Sequence, residues 1–210
     1  MRFLPLFPLP LVVYPGETLN LHIFEPRYKE LIGDCLTEKS TFGIPTFMNE
    51  YVSLYGTEAS ILELVKKYKN GEMDVTVKGG KIFKTINIHK KVAGKLYSGA
   101  DVEILSDKDT TKSELKKEVL EKMEELFRFA GIEKKLKINT EQHLSFLVAH
   151  TLGLTLEQEY ELLIIKSEEK RLKFIVEHLT KILPIVSEFE KLKEKIKMNG
   201  HFRNYPKIKY

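Results

Sequence analysis

The chain has 210 residues, of which 42% are hydrophobic and 30% are charged, and it contains a single cysteine. This balance is typical of a folded globular protein and argues against a disordered chain. One cysteine excludes an internal disulfide and a thiolate metal cluster, which suits a reducing compartment. The apolar N-terminal stretch is interrupted by Pro5, Pro8 and Pro10 and lacks a cleavage site. We therefore expect a cytoplasmic protein without a signal peptide or a membrane span.

The net charge of +4 is unevenly distributed. Residues 191–210 carry seven Lys or Arg side chains and one Glu, a net charge of +6, so the rest of the chain sums to about −2. A solvated, lysine-rich C-terminal segment is the simpler interpretation of this pattern. If the chain binds nucleic acid, we expect the affinity to reside mainly after residue 190.

The first half of the chain has the pattern of short strands with one inserted helix. Apolar residues alternate with polar ones from Leu19 to Ile23, which predicts a half-buried strand. Pro26 suits the first position of a helix whose apolar residues fall at 28, 31, 32, 35 and 36. This spacing puts Cys35 on the buried stripe, so we interpret it as a core residue and not as a reactive thiol.

Two glycine-containing pairs predict hairpins farther along. Asn70-Gly71 separates two apolar stretches and is a strong hairpin signal. Gly79-Gly80 is interpreted as a second tight hairpin, between residues 74–78 and 81–88.

After residue 107 the pattern becomes helical. Thr111 with Glu114, and Thr155 with Gln158, have the spacing of capping boxes that open helices. Ser167 precedes the longest helical segment, whose apolar stripe passes Pro184 and continues to Ile196.

The chemistry-bearing motifs of enzymes are missing. The sequence has no glycine-rich phosphate loop, no GxSxG elbow and no HExxH pair. His143 and His150 lie seven residues apart, but no third metal ligand can be nominated. We therefore predict no catalytic, cofactor-binding or metal-binding residues, and a protein that is not an enzyme.

Two segments of the first 28 residues carry a family resemblance. Residues 4–16 (LPLFPLPLVVYPG) and 19–28 (LNLHIFEPRY) closely resemble the opening signature of the amino-terminal, substrate-binding domain of Lon proteases. Residues 55–59 (YGTEA), the later glycine pairs and Phe83 resemble the strands that follow in that family, although Lys81–Lys84 departs from it where an arginine is usual. Residues 157–179 resemble its helical half more weakly.

The resemblance implies an α+β fold: a PUA-like antiparallel pseudo-β-barrel with one inserted helix, followed by an α-helical bundle with a long last helix. The expected boundaries are 1–107 for the barrel, 108–198 for the bundle and 199–210 for a basic tail. The family signature at Pro15, Gly16, Phe24, Glu25, Pro26, Arg27 and Tyr28 is expected to be structural. A cap and an ion pair of Glu25 and Arg27 would fix the helix start, and the binding surface itself stays undefined.

Three functions remain open at this point. The resemblance implies a stand-alone, non-catalytic binding module without the ATPase and peptidase parts of Lon. Its partners would be unfolded or exposed apolar protein segments, or a protease or chaperone, bound by apolar contact and edge-strand pairing. The alternative is an RNA-binding PUA-like protein that uses its basic tail. A hydrolase with a cryptic site is the third and least favoured.

Overall fold

The computed structural model describes residues 1–106, 113–132 and 142–200, with side chains in the last helix through residue 196. Strands and helices both contribute, as the predicted α+β class requires. The strands are β1 (Arg2–Pro5), β2 (Thr18–Ile23), β3 (Phe42–Met48), β4 (Tyr51–Lys67), β5 (Met73–His89) and β6 (Gly99–Ile104). The helices are α1 (Pro26–Glu38), α2 (Ser113–Phe129), α3 (Leu144–Val148), a 3-10 turn (Ala149–Thr151), α4 (Leu156–Ile164) and α5 (Glu168–Gly200).

The strands form one antiparallel sheet in the order β1-β6-β5-β4-β3, and β2 pairs with the first part of β5. The chain that leaves β1 then runs beside β3. The Phe7 amide donates to the Gly43 carbonyl (2.8 Å), and the Phe47 amide donates to the Leu9 carbonyl (2.7 Å). One continuous segment thus pairs with β6 at one end and with β3 at the other. This contact closes the sheet into the predicted pseudo-barrel.

Helix α1 covers the barrel core through the predicted apolar stripe. Tyr28, Leu31, Ile32 and Cys35 are all buried on this face. They pack in one cluster with inward-facing residues of β2, β3 and β5. Burial raises the pKa of the Cys35 thiol, in accord with its interpretation as a core residue.

The expected hairpin at Gly79-Gly80 is wrong. Strand β5 continues without a turn through both glycines. Gly79 is needed there for a different reason: a Cβ atom at this position would lie 2.3 Å from the carbonyl oxygen of Tyr14. Gly79 therefore allows another segment of backbone to approach closely inside a long strand, and the chain does not reverse direction at the glycine pair.

Contacts between residues divide the chain into two compact units. The first unit comprises residues 1–109 and 138–168, and the second comprises 110–137 and 169–210. Segment 142–168 clusters with the strands because it packs on Tyr14. The Tyr14 hydroxyl donates to the Glu159 carbonyl (2.9 Å), and its ring stacks on Phe146 with 5.3 Å between centroids. The expected boundary at 107 and the tail after residue 200 lie outside the described residues.

The start of α4 agrees with its predicted capping box. The Thr155 hydroxyl accepts from the Gln158 amide, and the Gln158 side chain accepts from the Thr155 amide. Thr111, the other predicted cap, is outside the described residues. Helix α5 begins at Glu168, directly after the predicted opening residue Ser167, and runs through Pro184. Among the described helices, none is long and apolar enough to cross a membrane.

Candidate functional site

An apolar groove of about 400 Å³ opens beside the start of α1. Three separate stretches of the first unit line it: residues 7–10, residues 21–28, and the β3–β4 hairpin, which contributes Phe47 and Val52. The polar side chains in the lining are His22, Glu25 and Arg27. A mostly apolar concave surface with a few polar groups at its rim is the usual form of a binding site.

The base of the groove is packed, whereas its rim is open. The Phe7 and Tyr28 rings are buried against each other, with 4.1 Å between centroids. At the rim, the Phe24 and Phe47 side chains are 60% and 42% exposed. Two large aromatic side chains left in water beside a formed groove are costly unless something covers them.

Glu25 and Arg27 fix the start of α1 beside the groove. The Arg27 guanidinium donates to the Glu25 carboxylate through Nε (2.9 Å) and Nη2 (2.8 Å), and it lies 4.5 Å from the centre of the Tyr28 ring. The expected side-chain cap from Glu25 is absent, and Pro26 occupies the first turn. Burial raises the pKa of Tyr28, an effect the Arg27 charge opposes. Because Glu25 and Arg27 form an ion pair, these two charges at the groove neutralise each other.

His22 also lines the groove and contacts the exposed Phe24 ring. The His22 ring stacks on Phe24 (6.2 Å between centroids) and lies 2.7 Å from an Asp74 carboxylate oxygen through Nδ1. The Tyr68 hydroxyl donates to the same carboxylate over 2.8 Å. Hydrogen bonds from His22 and Tyr68 lower the pKa of Asp74. This network positions the exposed Phe24 ring.

Strand β2 supplies one groove wall and has an open edge. It pairs with β5 in an unbroken register from Thr18 to Ile23, and no backbone hydrogen bond joins its other edge to a described residue. The outer part of β4, residues 60–67, also extends past β3, but its register shifts twice. Bulges of that kind protect an edge against strand addition, so the regular edge of β2 is the better acceptor of an extended segment.

The signature residues separate into two places. Phe24, Glu25, Arg27 and Tyr28 line the groove, with Pro26 between them. Pro15 and Gly16 form a turn outside its lining: Gly16 has a φ of +83°, and its amide donates to the Gly79 carbonyl (2.8 Å).

Sequence reasoning missed a second part of the groove lining, which consists of residues 7–10, Phe47 and Val52. The local signal that could have indicated it is the series Pro5, Pro8 and Pro10. Proline has no backbone N–H to donate, so a segment with these prolines cannot form a complete ladder of hydrogen bonds with a neighbouring strand.

His143 and His150 serve different contacts. His143 Nδ1 lies 3.8 Å from the Glu168 carboxylate. His150 lies between two carboxylates, with Nδ1 2.7 Å from Glu159 and Nε2 3.3 Å from Glu17. Hydrogen bonds that the His150 ring donates to the carboxylates of Glu17 and Glu159 raise the pKa of His150 to about 9, against the effect of burial. Within the described part of the chain, no group of three or more His, Cys, Asp or Glu side chains could hold a metal ion.

Comparison with known proteins identifies the family. The family model "ATP-dependent protease La (LON) substrate-binding domain" matches residues 3–181. A Lon N-terminal domain protein from Xanthomonas campestris superposes with a TM-score of 0.64 at 25% identity, over 82% of this chain and 96% of that one. The N-terminal domain of Mycobacterium avium complex Lon protease gives a TM-score of 0.63 at 15% identity, over 85% and 98%. A comparison with curated proteins gave no match. The match over most of the chain and the shared fold show that this chain belongs to the family of LON substrate-binding domains.

Proposed function

We propose that the groove beside α1 binds short apolar segments of unfolded or partly unfolded proteins without chemical change to them. The observation that carries this proposal is the pair of exposed rings, Phe24 and Phe47, that line a formed apolar groove. The substrate-binding family to which the chain belongs supports the same function. We place this activity in the cytoplasm.

Apolar burial supplies the affinity. A side chain that enters the groove covers Phe24 and Phe47 and removes its own apolar surface from water. Complete burial of one large apolar side chain contributes about 1.5–3 kcal/mol. Because association itself costs free energy, we expect several such contacts in one segment and a modest overall affinity.

The open edge of β2 supplies the orientation. An extended segment laid along residues 18–23 can form backbone hydrogen bonds that do not depend on its sequence. Every second side chain of the bound segment then points to one face of the sheet. On that face Leu21 and Ile23 of β2 line the groove. This arrangement selects for apolar residues at every second position and tolerates most sequences in between.

The rim charges make this binding nearly independent of salt. Glu25 and Arg27 are paired with each other, so neither is left to attract a charged ligand. RNA binding through the basic residues after 190 would instead weaken steeply as the salt concentration rises. Salt dependence therefore separates the proposed function from RNA binding.

The test measures binding of a labelled, permanently unfolded protein, such as reduced and carboxymethylated α-lactalbumin, by fluorescence anisotropy at low and high salt. Phe24→Ser and Phe47→Ser should each weaken binding roughly tenfold or more, since each removes an aromatic contact. The matched control is Ile86→Ser, because Ile86 is 50% exposed and lines a different depression, formed with Met1 and Ile104.

Equal affinity of the wild type and the Phe24→Ser and Phe47→Ser variants would contradict the proposal. Loss of binding in Ile86→Ser alone would move the site to the other depression. Tight, salt-sensitive binding of single-stranded RNA, with no affinity for the unfolded protein, would favour the RNA alternative.

A further inference from the structure

The imidazole ring of His22 faces a carboxylate with each of its two nitrogen atoms. His22 and Asp74 lie directly opposite each other on β2 and β5, and Nδ1 is 2.7 Å from Asp74 Oδ1. Nε2 is 3.5 Å from Glu72 Oε2. A carboxylate can only accept a hydrogen bond, whereas a neutral imidazole has one donor and one acceptor nitrogen. The imidazolium, in which both nitrogens carry a proton, is therefore the form that suits both neighbours.

Loss of one proton from this ring creates a repulsive contact. Because Nδ1 keeps its proton to donate to Asp74, the neutral ring presents the lone pair of Nε2 to the Glu72 carboxylate. Hydrogen bonds from His22 and Tyr68 hold the pKa of Asp74 below its usual range, so Asp74 stays charged while histidine titrates. Lys66 adds a positive charge beside the cluster, with Nζ 4.4 Å from the centre of the Tyr68 ring. The protonation state of His22 therefore decides whether its ring is attracted or repelled at Glu72.

The same ring supports an exposed aromatic side chain of the groove. It lies against Phe24 with 6.2 Å between centroids and 20° between ring planes, and Tyr68 meets it edge-on at 5.9 Å. The other charged side chains in the lining, Glu25 and Arg27, are paired with each other. The His22 side chain is 51% exposed, so protons reach it directly from solvent. A ring held at both nitrogens fixes Phe24, whereas a ring repelled at one nitrogen leaves Phe24 free to change rotamer.

We propose that His22 is a positioning residue for Phe24 and makes the capture of apolar segments depend on pH. This inference rests on the proposed function of the groove. The protonated ring holds Phe24 ready for binding, and the neutral ring releases it, so that binding has to order the side chain again. Histidine ordinarily changes charge between about pH 5 and pH 8. Because of the cost of ordering one side chain, we expect roughly threefold to tenfold tighter binding at about pH 5.5 than at about pH 8.5.

The experiment measures the affinity of the full chain for a short capped peptide of alternating leucine and serine, by calorimetry at these two pH values. The peptide has no titratable group, so a change in affinity reports on the protein. Glu72→Gln should bind tightly at both pH values, because the glutamine amide can donate to the neutral Nε2 and its carbonyl oxygen can accept from the protonated one. His22→Gln should bind at both pH values as weakly as the wild type does at the higher pH.

The matched control is His89→Gln. His89 Nε2 lies 2.7 Å from the Asp101 carboxylate, and the His89 ring lies 6.1 Å from the Phe3 ring. This is a histidine–carboxylate pair of the same kind beside an aromatic ring, but neither His89 nor Phe3 lines the groove. The variant should therefore leave the pH dependence of binding unchanged.

Equal affinity of the wild type at the two pH values would overturn this inference and leave the proposed function intact. A pH dependence that Glu72→Gln retains, or that His89→Gln removes, would also overturn it. Absence of binding at both pH values would contradict the proposed function, and the pH dependence of capture with it.

The contact between His22 and Phe24 can also be measured without peptide. In NMR spectra of the free protein, the Phe24 ring resonances should move with pH in the wild type and much less in Glu72→Gln. Phe24 resonances that do not change with pH in the wild type would show that the protonation of His22 does not control this ring.

Discussion

Replacing His150 by glutamine should remove a pH-dependent part of the protein's stability. The imidazole lies between the carboxylates of Glu17 and Glu159, and its ring packs on Tyr14 with 4.9 Å between centroids. It thereby joins the 3-10 turn and α4 to the turn after Tyr14. Glutamine keeps hydrogen-bonding capacity but carries no charge, so the change isolates the charged contribution.

The sign follows from the two pKa values of His150. Its pKa is raised from 6.5 to about 9 in the folded protein. The charged contacts therefore contribute fully below about pH 6.5, and the contribution is lost as the pH rises through 9. Because the His150 side chain is 39% exposed, solvent screens the pair, and we expect roughly 1–2 kcal/mol, less than the full shift would give.

Two assays test this prediction. The His150 ring proton resonance, followed by NMR from pH 5 to pH 10 or so, should titrate well above the usual histidine range. Urea denaturation of wild type and His150→Gln should show a stability difference at pH 6 that disappears near pH 10. An ordinary histidine titration, or a stability difference that does not change with pH, would refute the reasoning.

Three further predictions concern local structure. Gly79→Ala should destabilise the protein by at least ~3 kcal/mol in urea denaturation, because its Cβ would meet the Tyr14 carbonyl. Gly33→Ala, a helical site with open space around the new Cβ, should be neutral or stabilising by about 0.5–1 kcal/mol, and the reverse ranking would contradict the close approach. Thr155→Ala should cost about 1 kcal/mol through loss of the capping box, and unchanged unfolding of this variant would show that the cap contributes nothing. Cys35 should react with a thiol reagent only at the rate of unfolding, whereas fast reaction in native buffer would show that it is accessible.

Local signals in the sequence predicted local structure well. The capping box of Thr155 and Gln158, the helix start at Pro26 and the buried position of Cys35 each depend on residues within about two turns of one another. Propensity, capping and helical periodicity act over that range, so the residues themselves contain the information.

Features set by distant contacts were not predictable in the same way. In the sequence, Gly79 has the pattern of a turn residue. The reason for this glycine is its contact with the Tyr14 carbonyl, and Tyr14 is more than sixty positions away in the chain. Segment 142–168 has a helical pattern, but its contacts with Tyr14 and Pro15 assign it to the same unit as the strands.

The groove shows the same limit. The sequence signature contains Phe24, Glu25, Arg27 and Tyr28, which are part of the groove lining. The rest of the lining depends on how residues 7–10 run beside β3 and on where the β3–β4 hairpin places Phe47. A family signature can therefore indicate a site although it includes only some of the residues that line it. Here the signature residues both fix the start of α1 and line the groove.

The most direct test of the central claim is an NMR footprint of binding. Amide resonances of the uniformly ¹⁵N-labelled protein are followed while an unlabelled apolar peptide, unable to fold alone, is added at high salt. We predict that shifts concentrate in residues 18–28, residues 7–10 and the β3–β4 hairpin around Phe47, and that Phe24→Ser reduces them. Shifts confined to the residues after 190, or spread evenly over the surface, would contradict the assignment of the groove as the binding site.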